Sequence, residues 1–127
     1  MTTTPINAPD APQTPGTYSQ AMLVQGASTW LIISGQIPVD ATGAVPEDAT
    51  EQAHQIWRNI DAQLHAAGMT KEHLVKVTVY LSDRSLTDAY RVGRDAYLGG
   101  HQVALTCVVA GIFDSAWLME IEAIAAR

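Results

Sequence analysis

Six apolar residues, Ala49, Ala53, Ile56, Ile60, Leu64 and Ala67, recur at steps of four and three, the period of one helix face. Glu47, Asp48 and Glu51 lie at the start of this stretch, where the helix dipole favours anions. Gly68 stands where a left-handed C-cap is wanted. Thr70 reads as a turn or short cap. Beyond it Val75, Val77, Val79 and Leu81 alternate with Lys76, Thr78 and Tyr80, the pattern of a half-buried strand. A one-faced helix running into a one-faced strand needs a mixed α/β core.

The remaining segments fill in around this unit. Pro5, Pro9, Pro12 and Pro15 punctuate residues 1–16, which predicts an extended arm or loose leader. Met22–Val24 and Trp30–Ile33 are short apolar runs separated by Gly26-Ala27-Ser28, which reads as a hairpin. The second run stops at Ser34-Gly35-Gln36, and Pro38 and Gly43 mark a loop. Ser85 and Asp88 resemble a capping box ahead of a second helical face, Leu86, Ala89, Tyr90, Gly93 and Tyr97, closed by Gly99-Gly100. Val103–Ala110 and Trp117–Ala125 are apolar runs of strand length. The order is β-β-α-β-α-β-β within one domain, residues 17–127, with both helices covering one sheet in a two-layer α/β sandwich. The other sheet face still needs a partner.

Composition narrows the function. Hydrophobic residues make up 47% and charged residues 16% of the 127 residues, against roughly 25% charged in an average soluble domain. Such a surface is expected to be covered in part by further copies of the chain. Seven Lys plus Arg against 13 Asp plus Glu give a net charge of −6, which argues against nucleic acid as a partner. One cysteine forms no internal disulfide, so a reducing, cytoplasmic location is expected. No run approaches 18 apolar residues and no signal-peptide pattern opens the chain, so no membrane association is expected.

The candidate chemical groups are few. His54 and His65 share a helix face but stand about 16 Å apart along the axis. His73 and His101 fall in separate loops without ligand-spaced neighbours, so no metal is expected. No phosphate loop, nucleophile elbow or paired-cysteine motif is present. Cys107 lies in an apolar strand with no nearby basic residue in sequence, which reads as filler unless folding brings a partner close. Arg91 and Arg94, beside Asp88 and Asp95, read as a solvated helix face. Glu120 and Glu122 are two apart on the last strand and so point the same way. They are either a solvent-facing stripe or carboxylates in a subunit cleft, where desolvation suits one of them to acid–base work.

Gly16-Thr17-Tyr18-Ser19-Gln20-Ala21 and Ser34-Gly35-Gln36-Ile37-Pro38-Val39-Asp40 resemble the two N-terminal signatures of the RidA/YjgF family. Glu51-Gln52-Ala53, Val75–Leu81 and Glu120–Ala125 match it too, in order, from about Ala11 to the C-terminus. The resemblance implies a chorismate-mutase-like fold, a homotrimer with sheets facing a central barrel, and ligand clefts between subunits. It also implies cofactor-free hydrolysis of reactive enamines and imines, such as 2-aminoacrylate, to 2-oxo acid and ammonia. Glu120 would position or activate water, and Tyr18 and Ser34 would line the cleft.

The family's substrate-gripping arginine does not carry over. Its Pro-Ala-Arg-Ser signature is Val103-Ala104-Leu105-Thr106 here, so an aliphatic side chain replaces the bidentate partner of a carboxylate. The family asparagine of the second helix corresponds to Arg91, which could return a positive charge from another wall, and a glutamate of the following strand to Val109. The implied reading is a divergent member that binds a small metabolite between subunits, with Leu105, Arg91 and Cys107 as further candidate contacts. It would hydrolyse an imine-like substrate less charged and more apolar than an imino acid. The alternative is a trimer that binds or senses a metabolite without turnover.

Overall fold

The computed structural model describes residues 1–14 and 16–127. Its elements are β1 (Thr2–Ile6), β2 (Ala21–Gln25), β3 (Trp30–Gln36), α1 (Ala49–Ala66), β4 (Leu74–Leu81), α2 (Thr87–Leu98), β5 (Ala104–Val109) and β6 (Met119–Ala126). The mixed α/β class expected from the sequence is found, with one strand more at the N-terminus. β1 and β2 form an antiparallel pair, and the main sheet runs β3-β6-β4-β5. β5 lies parallel to β4, joined through α2, while β6 is antiparallel to both β3 and β4.

The expected hairpin between the strands now numbered β2 and β3 does not form. β2 pairs with β1, Thr2 facing Gln25 and Ile6 facing Ala21, and β3 pairs with β6 from Trp30–Ala126 to Gln36–Ile121. Burial decides the pairing. β3 contributes Ile33 to the core, whereas no residue of β2 is buried. Ser28 and Thr29 N–H groups donate to the Arg127 carbonyl, and Arg127 N–H donates to Thr29, tying β3 to the chain's end. Pro5, which cannot donate, is tolerated because β1 is an edge strand.

The caps follow the sequence in α1 and depart from it in α2. Asp48 is the N-cap of α1 and accepts from the Glu51 N–H at 3.0 Å, and Gly68, past the C-cap, has φ +69°. Ser85 does not cap α2. The Asp83 carboxylate accepts from the Ser85 N–H at 2.8 Å, so a 3₁₀ turn over Arg84–Leu86 precedes the helix and moves its start to Thr87.

Ala53, Ile56, Trp57, Ile60 and Leu64 of α1 cover Val77, Val79, Ile121, Ala123 and Ala125 of the sheet. The two helices approach closely at Gly93. A Cβ there would stand 2.7 Å from Ala53 Cβ and 3.3 Å from its carbonyl carbon. Gly93→Val is therefore expected to destabilise the fold by about 1–3 kcal/mol through overpacking. The urea midpoint should fall with an unchanged slope; an unaltered midpoint would mean that the helices separate freely.

The opposite sheet face is open. Ile32 is 70% and Trp30 53% exposed on β3, and a hollow of about 210 Å³ between β3, β6 and β4 is lined by Ile32, Lys76, Thr78, Glu122 and Ile124. No helix is long and apolar enough to cross a membrane among the described residues.

Candidate functional site

Glu120 sits on β6 where the β3–β6 register shifts between Ile33 and Gln36. At this irregularity Gly35 faces the Glu120 side chain so closely that a Cβ at position 35 would stand 2.8 Å from the carboxyl carbon Cδ and overlap Oε1. Any side chain at position 35 would have to push the Glu120 carboxylate aside. Two buried or half-buried amides of α1 brace the seat. Gln52 donates to the Pro46 and Ala116 carbonyls at 2.8 and 2.9 Å and accepts from the Leu118 N–H at 2.9 Å, two residues before Glu120. Asn59 donates to the Ile37 and Val39 carbonyls at 2.9 Å, fixing the chain just beyond Gly35. Ser34, exposed, immediately precedes the glycine.

The two glutamates share a face, as their spacing requires, but not a role. Tyr80 O–H donates to Glu122 Oε1 at 2.6 Å. That bond holds the phenolic proton and raises the Tyr80 pKa, with desolvation adding to it. The Glu120 carboxylate, half-buried, makes no side-chain hydrogen bond among the described residues. It is the carboxylate left available to a ligand or water.

A second cluster occupies the other side of the sheet. Leu105 pairs with Val77 and Cys107 with Val79, and both valines face the helices. Leu105 accordingly packs against the core. Cys107 is exposed, and α2 brings Arg94 and Arg91 close enough for their charges to favour the thiolate. Desolvation outweighs both and raises the thiol pKa. Arg91 is exposed, like the solvated residue expected, but Arg94 is not. Its side chain folds beneath α2 at 5% exposure, with Cζ 5.5 Å from the Tyr90 ring centroid. The reason is helical spacing, since residue 94 lies one turn beyond Tyr90 on the inward stripe.

Tyr18 is half-buried beside this cluster. The neighbouring Ser19 N–H donates to the Val103 carbonyl at 3.0 Å, and Ser19 bridges Ala104 in parallel, placing residues 16–20 along the start of β5. The predicted residues thus fall into two groups. Ser34 adjoins the glycine that Glu120 packs against, while Leu105 and Cys107 lie on β5 with Arg91 near Cys107 and Tyr18 on the segment that runs along the start of that strand. Glu120 pairs across from Tyr80 on the open face, and Leu105 and Cys107 lie on the helix face. Within one chain the sheet separates them.

Sequence reasoning gave Gly35 and Tyr90 no part in a site and read Arg94 as solvent-facing, whereas it is buried. For Arg94 a signal existed, because Tyr90 was already on the inward stripe. Among the described residues no group of three or more His, Cys, Asp or Glu side chains gathers to hold a metal. His73 Nδ1 accepts from Thr70 N–H and His101 Nε2 lies 2.8 Å from the Leu74 carbonyl, both local contacts.

Comparison with known proteins adds to this geometry. The family model described as Endoribonuclease L-PSP matches residues 8–127. A 2-iminobutanoate/2-iminopropanoate deaminase from Salmonella typhimurium is 36% identical over 126 residues, 96% of each chain. A RutC family protein from Pyrococcus horikoshii is 38% identical over 118 residues, 91% of each. Among solved structures, the Rid-family protein YyfB of Yersinia pestis superposes with a TM-score of 0.86 at 25% identity over all of both chains. The YjgF gene product of E. coli does so with a TM-score of 0.73 at 34% identity over 98% of each.

Proposed function

The chain belongs to the endoribonuclease L-PSP family, that of the RidA/YjgF proteins, and from that premise we propose that it binds a small metabolite between subunits of a homotrimer and hydrolyses an imine or enamine. One observation carries the reading: Glu120 and the Leu105–Cys107 wall lie on opposite faces of one sheet, so a ligand touching both needs a second copy to supply one half. The wet apolar residues Trp30 and Ile32 on the open face support the same association.

In this scheme a water beside Glu120 adds to the C=N carbon. The carboxylate takes one proton of the water as the C–O bond forms and passes it to the nitrogen, giving a carbinolamine. It then carries the hydroxyl proton to the same nitrogen, the C–N bond breaks, ammonia leaves and the carbonyl forms, an enamine entering as its imine tautomer. The product is the ketone or 2-oxo acid, and no cofactor enters the balance. Tyr18 and Ser34 orient the ligand. Leu105 presents an apolar wall where a guanidinium would grip a carboxylate, which favours a substrate with an aliphatic substituent over a bare three-carbon imino acid. The net charge of −6 sets RNA aside as the substrate that the family description suggests.

Ammonia release from freshly generated 2-aminoacrylate tests the role of the wall, alongside light scattering for a mass of three chains. Wild type is expected to be slow, and Leu105→Arg to raise the rate at least tenfold. A fast wild-type rate that Leu105→Arg leaves unchanged would remove Leu105 from the cleft. The second reading, a binder without turnover, is favoured by Leu105 packing into the core. It predicts no ammonia from any imine and ligand affinity that Glu120→Gln leaves unaltered.

A further inference from the structure

Arg94 and Tyr90 are both buried, at 5% and 2% exposure, yet neither is satisfied by the protein. Among the described residues the guanidinium meets one carboxylate oxygen, Nε donating to Asp95 Oδ1 at 3.0 Å and Nη2 lying 3.0 Å from the same atom. It also lies against the Tyr90 hydroxyl oxygen. Arginine carries five N–H donors, so the edge turned away from Asp95 is left over. The Tyr90 hydroxyl is buried beside the guanidinium, and among the described residues its O–H has no acceptor. Asp95 is on the helix surface, with its side chain 59% exposed, and it occupies only the Nε–Nη2 edge of the fork. A guanidinium with N–H groups to spare and a phenol whose O–H lacks an acceptor sit beside Cys107, on the side of the sheet that carries Leu105.

Resting on the ligand cleft proposed above, we infer that Arg94, with the Tyr90 hydroxyl, binds the carboxylate of a ligand whose aliphatic part lies on Leu105. A carboxylate fits both deficits, because its two oxygens accept from the free guanidinium edge and from the phenol together. The cation of this wall therefore comes from the helix rather than the strand. The ligand class is a 2-imino or 2-oxo acid with a branched or extended apolar substituent. Arg91, being exposed, is not the anchor.

The probe is 4-methyl-2-oxopentanoate, a stable oxo acid, compared with its methyl ester in calorimetric titrations of the full-length protein. Wild type is expected to bind the acid at least tenfold more tightly than the ester. Arg94→Met should abolish that preference, Arg94→Lys should keep part of it, and Arg91→Met should change it less than threefold. Tyr90→Phe, which leaves the fold's packing in place, should weaken the acid severalfold and spare the ester, so a failure of Arg94→Met to fold leaves the inference testable. An acid preference that survives Arg94→Met, or is lost in Arg91→Met, overturns it, as does a wild type with no preference. Because the probe is not turned over, the outcomes separate. Arg94-dependent binding without imine hydrolysis sinks the catalytic reading alone, and hydrolysis without acid preference sinks this inference alone.

Discussion

Glu120→Gln is expected to lower imine hydrolysis by about 10²–10⁴-fold, the usual contribution of a positioned general base. The substitution keeps the volume that fits against Gly35 and removes only the capacity to take a proton. KM and the mass of the assembly in solution should therefore change little while kcat falls. Glu122→Gln is the matching control on the same strand face. Its carboxylate already accepts from Tyr80 at 2.6 Å, so its loss should cost less than tenfold in rate. Steady-state ammonia release on both variants checks the pair. Equal losses would mean that the shared face, not Glu120, matters, and an active Glu120→Gln would leave the family's water-activating role without an occupant here.

Trp57→Ala should lower stability by about 3–5 kcal/mol, the range for deleting a buried large aromatic. Trp57 is fully enclosed between α1, α2 and the sheet and stacks on Tyr97 at 5.2 Å between centroids with 21° between planes. Tyr97 is itself pinned, its O–H donating to Asp61 at 2.6 Å, and burial together with that bond raises its pKa strongly. The cavity left by alanine thus has a rigid far wall and little means to collapse. Thermal unfolding at fixed protein concentration should show a drop on the order of 10 °C. Trp57→Phe keeps a six-membered aromatic ring and removes an indole N–H that is buried without an acceptor among the described residues; its cost should be well under half as large. A small effect from both would place the core's weight elsewhere.

Much of the architecture was legible because periodicity reports burial directly. The stripe from Ala49 to Ala67 and the alternation from Val75 to Leu81 each describe a face, and those faces meet in the core. Strand partnership is another matter. Met22–Val24 and Trp30–Ile33 look alike in sequence, and only the competition for β6, settled by how well Ile33 fits the core, separates them. The site divides in the same way. Spacing alone puts Glu120 and Glu122 on one face, but Tyr80, forty residues earlier in the chain, decides which of them is free. Asp83 likewise displaced the Ser85 cap by offering its carboxylate one turn sooner. Arg94 was hidden because charge suggests solvent, whereas its place on the Tyr90 stripe, over an aromatic ring, offsets the desolvation.

The glycine at the β3 bulge has a consequence for how this scaffold can diversify. With the volume above residue 35 filled by the carboxylate of Glu120, any side chain introduced there evicts the very group that the bulge accommodates, so that half of the recess tolerates almost no variation. The other half of the proposed cleft is built from the edge strand β5 and from α2, on the opposite face of the sheet, where Leu105, Cys107 and the buried Arg94 can be exchanged without touching the Gly35–Glu120 contact. On the proposed cleft, changes of ligand preference would therefore fall to positions 94, 105 and 107, and combinatorial libraries aimed at new substrates belong there.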